Sequence, residues 1–373
     1  MKIAVVHDWL EKKAGAEKVL EEILKIYPKA DLFVIVDHMN KEDRKFLSNI
    51  KIKTSLVQFF PFSKNHFRKY LFFFPLVVKL FNLKKYDLII SSSHSFAKNI
   101  NKSSNQIHIC YCHTPSRYAH LMTNDYLDNY KINNFIIRFL LKIFLFAFSR
   151  YDINQNKNVD FFISNSKFIK QRIKNIYNKN SNVIYPPINI KKYKFKSKKQ
   201  KYFLTSSRLV PYKKIDLIIK AFNEMPELKL IVCGDGPEFS YYKKIAKKNI
   251  TLKGWVTDSK LKDYLANANG FIFAALEDFG IIPVEALASG TPVIALNAGG
   301  TKETIFTKSI NNSCGVLFKK QTKKNIIESI KHFNRRRNLF KSHNCQLRSK
   351  KFSSENFKKK LLKFINLKVQ NYF

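Results

Sequence analysis

Residues 270–296 have the pattern of a strand, a turn, a helix and a second strand, and this unit constrains the fold more than any other stretch. The apolar run Gly270–Leu276 predicts one buried strand, and Thr291–Leu296 predicts the next. Between them, Pro283 suits the first position of a helix and Gly290 suits the position just past its end. The unit therefore predicts an α/β fold in which turns at the carboxyl ends of parallel strands face ligands.

The remainder of the chain repeats this alternation of short apolar strands and helices. In the first half, strands are predicted at Lys2–His7, Leu32–Val36, Tyr86–Ser91 and Gln106–Cys112, and a helix at Ala16–Ile26. Continuous apolar strands between helices indicate parallel sheets covered on both faces. A length of 373 residues suits two domains, and the polar, lysine-rich residues 189–201 suggest the linker between them.

Two glutamates eight residues apart, Glu277 and Glu285, flank the turn before the predicted helix. If Pro283 is the first helical residue, the cap position falls on Ile282, which has no side-chain oxygen for the free amides. Such a helix start attracts an anion such as phosphate, and a carboxylate beside that anion is best matched with sugar hydroxyls. The alternative is that Glu285 only stabilises the helix start while Glu277 is a solvated loop residue.

Several other stretches carry the same kind of pattern and, together with Glu277–Glu285, resemble the family-4 retaining glycosyltransferases. In chain order, they are Phe161–Ser166, Tyr185–Pro187, Ser207–Asp216, Ile231–Glu238, Gly254–Val256 and Ala298–Gly300 with Glu303. Val6–Leu10, Gly15–Leu20, Ser91–His94 and Tyr111–Ala119 further resemble the bacterial GDP-mannose-dependent mannosyltransferases that build surface polysaccharide. Two residues depart from the family pattern, since Ala14 and Lys214 stand where glycine is usual or frequent.

The resemblance implies the α/β fold called GT-B, with two Rossmann-like doubly wound parallel-sheet domains and a cleft between them. It implies an acceptor-side domain at residues 1–190 and a nucleotide-sugar donor domain at residues 191–345. Residues 346–373 would form a helix that crosses back to the first domain. The implied activity is retaining transfer of mannose from GDP-mannose to a lipid-linked saccharide acceptor in surface polysaccharide synthesis. Two alternatives remain open, a transferase that uses a UDP-linked sugar and a GT-B nucleotide-sugar epimerase.

The residues at the motif positions acquire roles from this resemblance. The residues that would act on the reacting groups are Glu277, His113, Arg208 and Lys213. Those that would bind the donor are Gly15, Val256, Phe279, Gly280, Ile281 and Glu285, and the acceptor-side candidates are His94 and Arg117. Glu277 would hold hydroxyls of the donor sugar, Glu285 would hold the ribose, and Val256 would flank the base.

Arg208 and Lys213 lie five residues apart across a predicted strand-to-helix turn, so both side chains can reach one pyrophosphate. A guanidinium offers a fork of hydrogen-bond donors and an ammonium a point charge, and with the helix-start amides they could replace a metal. The chain has no evident Asp-x-Asp pair to hold a metal ion, and the resemblance implies that neither a metal nor another cofactor is needed. The alternative is an ordinary solvated pair of cations.

The net charge of +41 invites a nucleic-acid interpretation. The lysines are spread along both halves, and no zinc-finger spacing or RNA-binding aromatic motif is present, so we expect no nucleic-acid partner. A basic surface does favour anionic lipid headgroups. We expect no signal peptide, no transmembrane span and reduced cysteines. The expected location is the cytoplasm, with peripheral attachment to the inner face of the cytoplasmic membrane.

Residues 134–149 are unusual because they are apolar almost all round, with Arg138 and Lys142 one helical turn apart. One interpretation is a buried helix of the first domain. The other is a helix at a membrane interface, where basic side chains extend to the headgroups. The segment from Arg68 to Lys79 has a similar mixture of aromatic, aliphatic and basic residues.

Overall fold

The structure, a computed structural model, describes residues 1–121, 134–307 and 312–372. These residues form two compact units. The first consists of Met1–Pro186 together with Phe357–Phe373, and the second of Pro187–Asn356. Each unit is built on its own parallel sheet, which confirms the α/β fold with two Rossmann-like doubly wound domains.

The first unit has a seven-stranded sheet in the order β3-β2-β1-β4-β5-β6-β7, and every neighbouring pair is parallel. The strands are β1 Ile3–His7, β2 Asp31–Val34, β3 Ile52–Thr54, β4 Leu88–Ser93, β5 Ile107–Cys112, β6 Phe161–Ser164 and β7 Ser181–Val183. Its helices are α1 Gly15–Ile26, α2 Ser63–His66, α3 Phe74–Val77, α4 Arg117–His120, α5 Phe135–Gln155 and α6 Lys167–Tyr177. The strands predicted at Lys2–His7 and Gln106–Cys112 are confirmed to within one residue at each end.

Both faces of this sheet are buried, as the apolar strands predict. Along β1, Val5 belongs to the apolar cluster on one face, and Ala4 and Val6 belong to the cluster on the other. Alternating side chains on a strand point to opposite faces, so helices must cover both. Phe357 and Leu361 from the last helix, α14 (Ser354–Gln370), lie in the same cluster as Val5.

The second unit has a six-stranded parallel sheet in the order β10-β9-β8-β11-β12-β13. The strands are β8 Tyr202–Ser206, β9 Lys229–Cys233, β10 Ile250–Gly254, β11 Gly270–Phe273, β12 Val293–Leu296 and β13 Gly315–Phe318. The helices before α14 are α7 Ile215–Phe222, α8 Phe239–Ile245, α9 Asp258–Asn267, α10 Ile281–Ala288, α11 Thr301–Thr304, α12 Lys323–Arg335 and α13 Ser342–Lys350.

The predicted start of helix α10 is wrong by two residues. The helix begins at Ile281 with Gly280 as its cap, so Pro283 is the third helical residue and Glu285 the fifth. Proline is tolerated there because amides of the first turn have no partner within the helix. The predicted end is confirmed: Gly290 has a φ of +75°, and the N–H of Thr291 donates to the carbonyl of Ala286.

The lysine-rich segment of residues 189–201 packs on the second unit and is not a free linker. The Lys199 ammonium donates hydrogen bonds to the carbonyls of Ala266 and Ser289 and to the Thr291 hydroxyl, at 2.9–3.0 Å. Composition alone misses this because a lysine is usually exposed, whereas this one binds main-chain carbonyls at the ends of helices α9 and α10.

All five cysteines are free thiols and buried, and Cys110 and Cys112 lie in the same small apolar cluster, as their spacing along β5 predicts. Among the described residues, no helix combines the length and the apolar character needed to cross a bilayer.

Candidate functional site

The candidate site of the second unit lies where its strand order reverses. Strands β8 and β11 are neighbours, and the chain continues outward from them in opposite directions. The loops that follow two such strands leave a crevice at the carboxyl edge of the sheet, the usual ligand position in open α/β sheets. The loop after β8 carries Arg208 and Lys213, and the loop after β11 carries Glu277.

Across this crevice the Lys213 ammonium forms an ion pair with the Glu277 carboxylate. Both side chains are largely shielded from water, with 17% and 15% of their surface exposed. Arg208, at the start of the same loop, is exposed. Two of the predicted residues, 64 positions apart in sequence, are therefore brought into direct contact.

The main chain that holds Glu277 is fixed by the next loop along the sheet. The Gly300 N–H donates to the Glu277 carbonyl at 2.8 Å. A Cβ on Gly300 would lie 2.2 Å from Phe279 Cα, and one on Gly299 would lie 2.3 Å from the Glu277 oxygen. Side chains at these two positions would push the loop away, so the glycine pair is required by this close approach.

The loop that carries Arg208 is held in a similar way. A Cβ on Gly234 would lie 1.9 Å from the Ser207 carbonyl oxygen, and one on Gly236 would lie 2.3 Å from the Leu209 oxygen. The Leu209 N–H donates to the Asp235 carbonyl at 2.9 Å. These glycines therefore serve loop-to-loop packing at the sheet edge, which positions the basic loop.

Helix α10 starts directly beside Glu277 without a side-chain cap. Its cap residue Gly280 has a φ of +81°, a conformation that favours glycine, and has no oxygen to offer the first turn. Ile281 is the first helical residue, and Phe279 is buried against the Phe352 ring at 5.5 Å between centroids. A helix start of this kind suits a phosphate group.

Glu285 lies on helix α10, is 6% exposed, and forms a hydrogen bond with the Tyr193 hydroxyl. Burial, the charge of Glu285 and this hydrogen bond together raise the pKa of Tyr193 well above its usual value. Tyr193 was missed by the sequence reasoning because it falls in the lysine-rich segment. Val256 is half-buried in the loop between β10 and α9 and packs at the edge of the same apolar cluster as Tyr193.

The first unit has an equivalent reversal of strand order between β1 and β4. His7 is the last residue of β1, and Ser92 lies near the end of β4. His113 follows directly after β5. The carboxyl edge of this sheet therefore gathers a polar cluster, of which the sequence reasoning identified only the histidines at 94 and 113.

A chain of polar contacts runs through this cluster. The Glu17 carboxylate lies 3.6 Å from His7 Nε2, and His7 Nδ1 lies 3.0 Å from the Ser92 carbonyl and 3.2 Å from its hydroxyl. The Ser92 hydroxyl lies 2.9 Å from His113 Nε2. Because the Ser92 carbonyl only accepts, His7 Nδ1 donates, and the Ser92 hydroxyl is left to donate to His113. His113 then carries its proton on Nδ1.

Burial governs the protonation of these groups. Burial lowers the pKa of His113 well below its ordinary value, and the nearby His94 and His7 add to the effect. Burial also lowers the pKa of His94. Burial raises the pKa of Glu17, but the close approach of His7, 3.6 Å away, outweighs it, so this pKa lies below its usual value. A neutral His113 is therefore the form present at physiological pH.

Asp8 fixes the loop that carries His94. Its carboxylate accepts hydrogen bonds from the N–H groups of His94, Ser95, Phe96 and Ala97, at 2.6–3.1 Å. The His94 ring lies 4.6 Å from the Trp9 ring in an edge-on arrangement, and its Nδ1 lies 3.6 Å from Asp8. The signal that could have identified Asp8 is a carboxylate placed immediately after a buried strand.

The remaining predicted residues of the first unit are at element starts. Gly15 is the first residue of helix α1, and the N–H of the preceding Ala14 donates to the Glu17 carboxylate at 2.9 Å. Arg117 is the first residue of the short helix α4, and its charge acts on His94. Among the described residues, no group of three or more His, Cys, Asp or Glu side chains is arranged to hold a metal ion.

Two family models match the chain in succession. Residues 13–192 match the model described as Glycosyltransferase Family 4, and residues 188–352 match Glycosyl transferases group 1. The matched regions cover all strands of the second sheet and every strand of the first sheet except β1 (Ile3–His7).

Similar proteins include a GDP-mannose-dependent phosphatidylinositol mannoside mannosyltransferase of Corynebacterium glutamicum, 33% identical over 115 residues, which are 27% of this chain and 30% of that protein. The O-antigen chain mannosyltransferase of Salmonella typhimurium is 28% identical over 168 residues, 42% of this chain and 46% of that protein. The chain thus spans less than half the length of each of these two curated relatives.

Among solved structures, Anabaena HepE in complex with UDP and glucose superposes with a TM-score of 0.71 at 19% identity, covering 98% of this chain and 99% of that one. At this identity the likeness concerns the fold. Taken with the two family models and the paired parallel sheets, it assigns the chain to the family-4 glycosyltransferases with the GT-B fold.

Proposed function

We propose that this protein transfers mannose from GDP-mannose to a lipid-linked saccharide acceptor, with retention of the sugar's anomeric configuration. The observation that carries the proposal is the Lys213–Glu277 ion pair at the strand-order reversal of the second unit. It sets a cation suited to phosphate beside a carboxylate suited to hydroxyls, next to an uncapped helix start. A nucleotide sugar presents both kinds of group in one molecule.

In the proposed reaction, the bond between the sugar C1 and the diphosphate oxygen breaks, and a bond from the acceptor hydroxyl oxygen to C1 forms on the same face. The leaving diphosphate takes the proton of the acceptor hydroxyl, so no protein base is needed. Lys213 and Arg208 neutralise charge that develops on the diphosphate, which is where electrostatic stabilisation is most effective. No metal ion or other cofactor takes part in this scheme.

The two carboxylates have binding roles in this proposal. Glu277 turns from Lys213 to the hydroxyls of the donor sugar when the diphosphate takes over the ammonium. Glu285, which the structure holds through Tyr193, binds the ribose hydroxyls. The amides of Phe279, Gly280 and Ile281 lie along the phosphate and sugar, and Val256 flanks the base. These interactions position the donor and account for part of the rate enhancement.

The first unit supplies the acceptor side in this proposal. His113 lies near the reacting sugar as a neutral imidazole that donates from Nδ1, while Gly15 approaches the donor phosphates at the start of helix α1. Arg117 and His94 face the acceptor, where a guanidinium suits a lipid phosphate. We further propose that the protein works at the inner face of the cytoplasmic membrane, in contact with anionic lipid, and has no nucleic-acid partner.

The choice of mannose and GDP is supported by mannosyltransferases among the relatives, including the one from Corynebacterium glutamicum that is named as GDP-mannose-dependent. The purified protein should be incubated with GDP-mannose, UDP-glucose or UDP-N-acetylglucosamine, each with and without a bacterial lipid extract. We expect GDP release and a mannosylated lipid only when GDP-mannose and extract are both present. Transfer from a UDP sugar instead would overturn the donor assignment, and conversion of a donor without extract would indicate an epimerase.

A further inference from the structure

Helix α5 presents an apolar stripe to solvent in addition to the side that it packs on the core. The buried residues Leu145, Phe148 and Asp152 lie on one side of the helix. Phe135, Phe139 and Phe146, which lie together on a different side by their helical spacing, are 81%, 55% and 63% exposed. A helix of a soluble domain normally buries such a stripe, so this surface is built to meet an apolar medium or a partner.

A second exposed segment of the first unit adjoins this helix. The Phe72 ring contacts the Phe144 ring at 4.0 Å between centroids, and the Tyr151 hydroxyl donates to the Pro75 carbonyl at 3.1 Å. The segment itself exposes Leu76 at 64%, and Phe72 and Phe73 at 49% each. The two segments therefore form one apolar surface, which we call the α5 surface: Phe72, Phe73 and Leu76 with Phe135, Phe139 and Phe146.

The two stretches of chain that form the α5 surface carry charges of a single sign. Residues 44–86 and 134–151 contain no aspartate or glutamate, whereas both stretches carry lysines and arginines. Lys142 and Arg150 are exposed on helix α5, and the Arg150 guanidinium lies 5.4 Å from the Phe146 ring centroid. Lys79 lies over the Tyr151 ring at 4.9 Å. Aromatic and aliphatic side chains bordered by basic ones are what an anionic lipid surface binds.

A second copy of the chain fits this surface less well. A two-fold dimer would place the same patch against itself, so its basic border would face an identical basic border. Each chain also has a net charge of +41, which opposes association without a counter-charge. A bilayer that contains anionic lipid supplies both the apolar phase and the counter-charge.

We propose that the α5 surface docks on an anionic bilayer, with helix α5 lying in the interface and its phenylalanines inserted among the acyl chains. Leu145, Phe148 and Asp152 tie the helix to the unit, so it meets the membrane as part of the folded unit. Docking depends on neither the donor nor the acceptor, although it specifies where the lipid-linked acceptor of the proposed function would be met.

The test is flotation of the purified full chain with vesicles of phosphatidylcholine alone or with phosphatidylglycerol at about a third of the lipid, without any nucleotide sugar. We expect binding to the anionic vesicles and at least tenfold weaker binding to the neutral ones. Reversing Lys142 and Arg150 to glutamate should weaken binding by about fivefold for each unit of charge removed. The control variant carries Lys243→Glu and Lys244→Glu, which change the net charge by the same amount at exposed residues of the second unit. This control should bind anionic vesicles more tightly than the Lys142→Glu, Arg150→Glu variant.

The apolar contribution is tested with Phe139→Ser and Phe146→Ser together, which should weaken vesicle binding at least tenfold. The matched control replaces Leu347 and Leu367, exposed at 45% and 50% on other helices, by serine. Melting curves and GDP-induced stabilisation show that each variant is folded. Equal vesicle binding by the phenylalanine variant and the wild type would overturn the proposal. The proposal would also be overturned if the wild type were a dimer and the phenylalanine variant a monomer with unchanged vesicle binding. Loss of transfer activity with vesicle binding intact would count only against the proposed function.

Discussion

Lys214 is a non-glycine residue in a backbone conformation that favours glycine, and this costs folding free energy. It adopts a left-handed conformation, with a φ of +56°, between the basic loop and helix α7. The resemblance places a frequent glycine at this position, and the structure supplies the reason, since a side chain is strained in that conformation.

We therefore expect Lys214→Gly to stabilise the protein by about 0.5–1 kcal/mol, the strain relieved minus the entropy that a glycine loses on folding. Chemical denaturation measures this difference. The comparison variant is Lys253→Gly in strand β10, where glycine should destabilise because it has no side chain to pack and loses more entropy. A less stable Lys214→Gly variant would contradict the argument.

Ser92 is the residue through which the buried His7 acts on His113. Ser92→Ala removes the hydroxyl that holds His113 Nε2, so the imidazole should lose its fixed orientation. We expect transfer to fall by roughly tenfold to a hundredfold, mainly in kcat, because a misplaced group costs that much without weakening donor binding.

The matched control for the Ser92→Ala variant is Ser93→Ala. Ser93 is the next residue of the same strand and is buried, yet its hydroxyl has no hydrogen-bond partner among the described residues. Steady-state kinetics of both variants should show a loss for Ser92→Ala only. Equal losses in the two variants would assign the effect to packing.

At the scale of elements, helix α5 is secured by a buried charge network. The Asp152 carboxylate forms an ion pair with Lys98 and hydrogen bonds with His120 Nε2 at 2.9 Å and the Tyr177 hydroxyl at 2.7 Å. These partners come from helices α4 and α6 and from the loop after β4. The network therefore joins helix α4 to the helix that forms the α5 surface.

Removing one side of this network should be costly. Asp152→Ala leaves the Lys98 charge buried and unpaired, and we expect a loss of about 3–5 kcal/mol in unfolding free energy. The double variant Lys98→Met with Asp152→Ala should lose less than the sum of the two single variants, because it also removes the stranded charge. Additive losses would show that the two groups are not coupled.

The Asp152 carboxylate also predicts how the unfolding free energy depends on pH. Burial raises the pKa of Asp152, but the Lys98 charge and the His120 contacts outweigh it and lower the pKa to about 2. Since the folded pKa lies below the unfolded one near 4, this contribution is complete above about pH 5 and is lost as the pH falls towards 2. Its size is about 2–3 kcal/mol. The unfolding free energy of Asp152→Asn should vary less across that pH range than that of the wild type.

The fold was predictable because its signals are local. Apolar strands bounded by glycine and the punctuation of helix α10 follow from periodicity, and the strand after β11 lies where expected. The start of α10 was misplaced because Pro283 suits any position of the first turn, so it does not specify which one. The buried Lys199 and Tyr193 were missed because their environment is created by tertiary contacts between distant segments.

The candidate site was predictable in its residue types but not in its pairings. The motifs selected Lys213 and Glu277 separately, whereas their direct contact depends on β8 and β11 being neighbours in the sheet. The partners of His113 lie on β1, α1 and β4, so a motif centred on His113 cannot contain them. For helix α5, composition left two environments open, and the structure shows an exposed helix rather than a buried one.

At the scale of the whole molecule, the two sheets reverse their strand order at positions that both gather polar residues. A nucleotide bound at the second reversal should stabilise the protein in proportion to its affinity, by about 2.7 kcal/mol when its concentration is a hundred times the Kd. We expect GDP to raise the Tm more than UDP does at equal concentration. A larger shift with UDP would count against GDP-mannose as the donor.

The measurement that tests the central claim most directly is the rate of mannose transfer from GDP-mannose in Glu277→Gln, compared with the wild type and with Glu224→Gln. Glu224 belongs to the same unit, is half exposed and pairs with Lys323, so its replacement controls for the loss of one carboxylate and one ion pair. We predict that Glu277→Gln loses at least a hundredfold in rate while still binding GDP, and that Glu224→Gln keeps the wild-type rate. Transfer by Glu277→Gln at the wild-type rate would contradict the assignment of this crevice as the donor site.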